Sequence, residues 1–474
     1  MDHQPRTSDK EDEAQKWYRD RWLISIMLGT MLLGLIYNFV ILLGYGPDEP
    51  RHMRYVELLL NEHQLPYLEP DGSEHAGAHT LHPPLYYAIL LPFYALLRAL
   101  PGAWEWHAVR LVSLAFCLAT LPLIYQIAER AAGNDKRLAR LAVAQVALLP
   151  IFAMTAGTIN NDSATVFAVT LFLWLLAVKY PTDRSVKAAV VLGLCFGLGG
   201  LCKATTLICD GAAFVIYLLA QDGRMTWRAG HAWKRLGIVL LLVAIIAGPW
   251  YLRNLNLYGQ FTPIERGYSL ADKQKLLPSL DHGLLIVVMH PNFPHIFFVT
   301  HWSLFVTTWF QKDWIPGFYP GLADPLQPPD WRTPVYLAFA AYCALAAVGF
   351  VRGRKGSRST PQATLAPPDA NEPDAHEAAA RIARWSSAGA FAFSWLACIV
   401  IALFVHYGWA SGGRYLLPSL SGLSIFLARG WQGILGASRL PALTVVWSIA
   451  LIALNGGAIY WLLSFLNPTY GPQG

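Results

Sequence analysis

Read for its apolar runs, the chain alternates near-uncharged stretches of about 16–24 residues with short loops carrying Lys, Arg and Pro, the spacing of helices that cross a bilayer. Such runs lie near 23–44, 106–128, 139–157, 164–179, 186–203, 205–220, 235–251, 333–351, 386–405, 415–429 and 442–463. They predict eleven transmembrane helices. The stretch before the first, Met1 to Trp22, is too long and too acidic for a signal-peptide n-region, so the first span is expected to be an uncleaved anchor. Pro83 to Leu100 is apolar, but Pro83-Pro84 opens it and Pro92 interrupts it. It is expected to lie along the membrane surface.

Composition agrees with this picture. Of 474 residues, 55% are hydrophobic and only 14% charged, with a mean hydropathy of +0.36, which excludes disorder, a disulfide scaffold and a cytosolic enzyme. A net charge of +6 is too dispersed to argue for nucleic acid. The six cysteines fall in apolar runs and form no Cys-rich module. With residues 83–100 on the surface, 24 of the 36 lysines and arginines sit in the loops 1–22, 130–140, 179–187, 224–235, 352–384 and 429–439. These loops are then expected to face the cytoplasm. Two long loops, about 45–105 and 252–332, are then expected to face out, and they hold most of the Trp, Tyr and His outside the spans. The expected division is a cytoplasmic segment 1–22, a membrane module 23–260, an outer loop 261–332, and a second membrane module 333–474 with a cytoplasmic linker at 352–384.

Candidate chemistry collects outside the membrane. Just beyond the first span comes Gly46-Pro47-Asp48-Glu49-Pro50-Arg51-His52-Met53-Arg54-Tyr55. Asp48 or Glu49 starts a helix with Pro50 in its first turn, so its carboxylate is expected to stay ionised, able to accept a proton or hold a metal. Arg51 and His52 follow at i+3 and i+4 on the same face. The plainer explanation is a capped surface helix with a local ion pair. A second polar turn, Thr158-Ile159-Asn160-Asn161-Asp162-Ser163, ends one span and starts the next, and capping explains it equally simply. What favours function is the convergence of two acidic turns on one membrane face. His79-Thr80-Leu81-His82-Pro83-Pro84-Leu85-Tyr86-Tyr87 opens the surface segment, with two histidines three apart and no third metal ligand fixed by spacing. Lys203 and Arg414 lie at outer span ends, and Arg253 follows Trp250-Tyr251-Leu252. Each is placed either to snorkel or to meet a lipid phosphate. Asp210 lies within a span and is the residue that best suits a transporter.

Together, the acidic pair after the first span, the Tyr-bearing helix, His82-Pro83-Pro84-Leu85-Tyr86-Tyr87, Asn160-Asn161-Asp162 and Gly413-Arg414-Tyr415-Leu416-Leu417-Pro418 resemble the GT-C glycosyltransferases that use polyprenyl-phosphate sugars. This superfamily includes the protein O-mannosyltransferases and the lipid A aminoarabinose transferase, and the closest likeness is to an uncharacterised bacterial branch. The resemblance implies an all-α integral membrane bundle of about eleven helices, with interfacial helices in the first outer loop, in the bacterial inner membrane with its site outside. It implies Asp48 as base, Glu49 as its neighbour, Asp162 as second acid, and Arg414, Lys203, Arg253 and Arg51 as donor-phosphate contacts. His52, Tyr55, His82 and Asn161 would contact substrate. His82 departs from the pattern, since relatives often place Lys before the two prolines. The implied partners are a polyprenyl-phosphate sugar, an acceptor glycan, lipid or protein, and membrane lipids, with a divalent metal as the one candidate cofactor.

The chemistry suits these resources: a carrier-activated sugar needs a base for the nucleophile and positive charge for the departing phosphate, and a single displacement inverts the anomeric centre. No nucleotide-binding loop of the G-x-x-x-x-G-K-[ST] or G-x-G-x-x-G kind is present. The alternatives are a secondary transporter, which needs ionisable groups at mid-membrane depth, and a non-catalytic assembly partner, in which the acidic turns would be replaceable.

Overall fold

The computed structural model describes residues 17–70, 73–100, 103–221, 230–262, 332–356, 375–404 and 413–465. Among them the structure is helical throughout, apart from turns and one isolated bridge, Leu68–Glu74. The outer loop at 263–331 and the linker from 357 to 374 lie outside the described residues.

α1 (Arg21–Val40) starts at Asp20, whose carboxylate accepts the Trp22 and Leu23 N–H groups. α2 (Glu49–Glu57) follows within nine residues and continues as a π-helical turn, Leu58–Glu62. Pro83-Pro84 leads into α3 (Leu85–Leu97), whose 13 residues rise only about 20 Å and are too short to cross a bilayer alone. α3 buries Tyr86, Tyr87 and Leu90. A short helix thus stands where the sequence suggested a segment that does not span.

The bundle proper begins with α4 (Trp104–Ala131), a 28-residue helix. α5 (Lys136–Ala147) and α6 (Pro150–Ala156) follow, bent by 67° at Leu149-Pro150, where proline removes the donor that would continue the helix. α7 (Asn161–Trp174) continues as a π turn to Lys179. α8 (Val186–Cys202) and α9 (Ala204–Gln221) are separated only by Lys203 in extended conformation. α10 (Gly230–Ile246) and α11 (Gly248–Tyr258) meet at 57°, again before a proline. α12 (Arg332–Gly356), α13 (Ala375–Phe404), α14 (Leu420–Leu435) and α15 (Leu440–Phe465) complete the described chain.

Among the described residues four helices are long and apolar enough to cross a membrane, or six if each bent pair is one span. Every one of the eleven apolar runs falls on a helix or bent pair, although several helices are short and broken where the sequence suggested continuous spans. The reason is local: Pro150 and Pro249 interrupt runs whose hydropathy alone is unbroken, whereas the break at Lys203 falls between two runs the sequence already separates.

Carboxy-terminal helices pack directly on the amino-terminal ones. α13 lies along α9, while α14 and α15 lie against α5. On the side expected to be cytoplasmic, Arg384 and Arg429 both donate to the Ala131 carbonyl, and Gln432 donates to Asp135. Deeper in the bundle Asn455 donates to the Leu148 carbonyl left free at the α5–α6 bend and accepts from the Tyr37 hydroxyl. The apolar core between these points is made chiefly of Leu, Ile, Val, Ala and Phe. Gly157 lets the α6–α7 turn press on α1, since a Cβ there would lie 2.6 Å from that of Tyr37.

Candidate active site

The site grows from the turn between α1 and α2. The last carbonyls of α1 need donors, and they receive a guanidinium: Arg110 of α4 donates to Asn38 O at 2.5 Å, Ile41 O at 2.8 Å and Leu42 O at 3.0 Å. The same guanidinium makes two 2.7 Å bonds to Glu49, and both side chains are fully buried. Glu49 also accepts the N–H groups of Gly44 at 3.0 Å, Gly46 at 3.1 Å and Ile159 at 2.9 Å. The last of these belongs to the second acidic turn. One carboxylate thus ties the Asp48 turn to the Asp162 turn, and with five donors on its two oxygens Glu49 is a positioning group. A Cβ at Gly46 would stand 3.0 Å from that carboxylate, so the closed turn leaves no room for a larger residue.

Asp48 occupies the N-cap position of α2, yet its side chain makes no capping bond. Its backbone is left-handed, with φ 57°, a conformation that Asp tolerates better than most residues. The carboxylate, 18% exposed, instead faces Arg51 at 3.8 Å and His79 Nε2 at 3.7 Å. At the second turn Asn160 is the cap, accepting the Asp162 N–H at 2.8 Å. Capping therefore explains neither acid. Asp162 is buried and paired with the Lys203 ammonium, which the break between α8 and α9 projects towards it. Asn161, also buried, reaches the Cys202 carbonyl at 3.5 Å.

Between the two acids lie three imidazoles. His52 is buried, with Nδ1 2.8 Å from the Tyr87 hydroxyl, and its ring centroid is 4.6 Å from His79 and 5.9 Å from His82. His79 and His82 are 4.5 Å apart, edge to face. His82 is half-buried. Burial first, then His79, Lys203 and His52, push its imidazole well below the usual histidine value, with Asp48 opposing. Tyr55 is stacked flat on Tyr87 at 3.8 Å and donates to the His82 carbonyl at 3.3 Å. Arg51 pairs with Glu74 at the edge of this cluster, and Glu74 lies 3.6 Å from His79 Nδ1. Arg253 on α11 donates to the Pro66 carbonyl at 2.8 Å and stacks 5.1 Å from Trp250, beside the first outer loop. The backbone of Arg414 begins the short helix Gly413–Ser419, and its side chain lies outside the described residues.

The acids of the site each meet a cation or an imidazole. Glu49 is saturated by Arg110 and three backbone donors, Asp48 faces Arg51 and His79, and Asp162 pairs with Lys203 through one oxygen, while its other oxygen is buried with no hydrogen-bond partner among the described residues. Among the described residues no group of three or more His, Cys, Asp or Glu could hold a metal ion.

Of the residues expected from sequence, Asp48, His52, Tyr55, His82, Asp162 and Lys203 thus surround one small region, while Asn161 lies beside it and Arg253 is set back. The sequence reading passed over Arg110, His79 as an Asp48 partner, and Glu74. Arg110 carried a readable signal, being a lone arginine two turns into an apolar helix.

The model of the dolichyl-phosphate-mannose-protein mannosyltransferase family matches residues 81–250. Among solved structures, the oligosaccharyltransferase of Archaeoglobus fulgidus tethered to an acceptor peptide superposes with a TM-score of 0.52 at 14% identity, over 94% of this chain. The same archaeal enzyme, AglB, with an inhibitory peptide and a dolichol-phosphate gives the same TM-score and identity. The chain has the GT-C fold. It spans about half the length of those oligosaccharyltransferases, 55% and 56%. ArnT from Cupriavidus metallidurans bound to undecaprenyl phosphate matches 88% of this chain and 78% of its own, at 16% identity and a TM-score of 0.40. No curated protein matches by sequence. Within the GT-C fold described here, the Asp48 turn, the surface helix α3 and the Asp162 turn all gather at one end of the bundle.

Proposed function

We propose that this protein is an inverting membrane glycosyltransferase that moves a sugar from a polyprenyl-phosphate carrier to an acceptor at the outer face of the cell membrane. The observation that carries this reading is Asp48: an ion-paired, partly exposed carboxylate held in a left-handed N-cap position that it does not use for capping, beside His79 and four residues upstream of His52. A general base needs such a side chain, held in place and still reachable. The family whose model matches residues 81–250 is described by its dolichyl-phosphate-mannose donor, which supports the same donor class here.

In this reading Asp48 takes the proton of the acceptor. Glu49 and Arg110 hold the Asp48 turn, while Asp162 and Lys203 supply a fixed polar wall. His82, Arg51, Arg253 and Arg414 are the candidates for the donor phosphate, with His52, Tyr55 and Asn161 lining the substrate region. The interleaved charges of the predicted cytoplasmic loops support an outward-facing site. The test is transfer of label from a polyprenyl-phosphate sugar pool in membranes that contain this protein. Labelled product that depends on Asp48 supports the proposal, and its absence from membranes in which the protein binds no undecaprenyl phosphate overturns it.

Asp210 favours a second reading, as a transporter. It is fully buried within α9, and among the described residues neither carboxylate oxygen has a hydrogen-bond partner. Loss of function in Asp210→Asn with Asp48→Asn fully active would put that reading first.

A further inference from the structure

Resting on the glycosyltransferase reading, we propose that His79 and His82 form a proton relay that carries the acceptor's proton from Asp48 to the departing carrier phosphate. Two needs of the reaction lie at opposite ends of the same cluster. The base receives a proton as the nucleophile attacks, and the leaving phosphate gains a negative charge as its bond to the sugar breaks. The three imidazoles lie between the group suited to the first need and the region suited to the second.

The geometry is continuous. Asp48 Oδ2 faces His79 Nε2 at 3.7 Å, and the other nitrogen of His79 faces Glu74 at 3.6 Å. A histidine between two carboxylates is held in orientation and favoured as a proton carrier, the logic of an acid-oriented imidazole. His79 and His82 are 4.5 Å apart centre to centre, within reach through ring rotation or one bridging water. His82 in turn faces Lys203, His52 and Asp48. Tyr87 fixes His52 through its 2.8 Å bond, and Tyr55 holds the His82 backbone. At rest, burial first and then His79, Lys203 and His52 disfavour charge on His82. A phosphate that gains charge beside it reverses that balance.

The step balances. The acceptor O–H bond breaks and its oxygen bonds to the anomeric carbon. The bond from that carbon to the phosphate oxygen breaks, and the electron pair stays on phosphate. The proton passes from Asp48 to His79 and from His79 to His82, which restores the Asp48 carboxylate and leaves an imidazolium beside the phosphate. The proton leaves when the carrier phosphate departs. His82 therefore has a positive charge only when the phosphate needs it.

Calorimetric titration of the full-length protein with undecaprenyl phosphate at pH 7.5, in buffers of different ionisation enthalpy, reads the proton directly. We expect uptake of about one proton per phosphate bound, the linkage of a neutral histidine that becomes charged on binding. His82→Lys should bind without that uptake, since it already carries the charge, and the phosphate's own ionisation cancels in the comparison. Binding by wild type with no uptake, or undiminished uptake in His82→Lys, overturns the relay and leaves the glycosyltransferase reading standing. No binding of undecaprenyl phosphate by the wild-type protein overturns both. For His79, transfer by His79→Ala in the membrane assay should rise on adding imidazole. A variant that binds undecaprenyl phosphate normally yet gains nothing from imidazole removes His79 from the path.

Discussion

Arg110 and Glu49, 61 positions apart, form a bidentate ion pair at 2.7 Å with neither side chain exposed, and through it the end of α1, the Asp48 turn and the Asp162 turn share one joint. A buried pair of this kind is weak evidence of net stabilisation, but breaking it leaves a charge uncompensated. Arg110→Met should therefore cost about 3–5 kcal/mol, seen as a large fall in melting temperature of the detergent-solubilised protein. Glu49→Gln keeps some of the acceptor bonds and should cost less. If the two single variants melt like wild type, the joint does not hold the turns.

Asp48→Asn separates catalysis from architecture. Asn adopts left-handed backbone readily, and the Asp48 side chain makes no capping bond, so the melting temperature should stay within a degree or two. Transfer should fall about 10²–10⁴-fold, the range for loss of a general base. Full transfer activity in Asp48→Asn removes the base from this position.

Much of this arrangement was legible in the sequence, and the limits have physical causes. Pro83-Pro84 marked α3, because proline fixes entry to a helix and the run that follows is short. The two acidic turns were visible because Asp and Asn in outer turns stand out against apolar spans. Their partners were not visible. Lys203 reads as a snorkelling or phosphate-binding cation at a span end, yet it turns to Asp162, 41 residues earlier, because the chain breaks between α8 and α9. Arg110 reads as one charge in an apolar helix, and only the fold brings α1's carbonyl ends and Glu49 to it. Sequence also left capping open for Asp48 and Asp162, a question decided by side-chain direction rather than by residue type.

Orientation can be checked at two exposed positions. Gln64 lies in the loop between α2 and α3 and Asn134 in the loop between α4 and α5. In intact cells a membrane-impermeant thiol reagent should label Gln64→Cys and spare Asn134→Cys, which should react only after the membrane is opened. The reverse pattern would put the Asp48 turn in the cytoplasm.

Asp20, at the start of α1, gives a pH signature away from the site. Burial alone would raise its carboxyl, but bonds from Tyr125, Arg140 and the Leu23 N–H outweigh this and hold it below its ordinary 3.8. An acid with a depressed folded pKa contributes stability above its unfolded value and loses it as pH falls through the folded one. Asp20→Asn should thus melt lower than wild type at pH 7, by about 1.5–3 kcal/mol for a charged hydrogen bond. The gap should narrow as the pH falls below 3.8. A gap that is constant with pH would mean that Asp20 acts through shape alone.

The Asp162–Lys203 pair poses the question of whether Lys203 serves the fold, the carrier phosphate, or both. Lys203→Met strands a buried carboxylate and should lower the melting temperature sharply. Adding Asp162→Asn removes the stranded charge, so the double variant should recover most of that stability. If Lys203 also faces the donor, the recovered double variant should still bind undecaprenyl phosphate about tenfold more weakly, the scale of one lost charge-assisted contact. Titration of the double variant therefore decides the matter. Wild-type affinity in a protein that has regained its melting temperature would confine Lys203 to holding Asp162 in place, and would move the phosphate towards His82 and the imidazoles beside it.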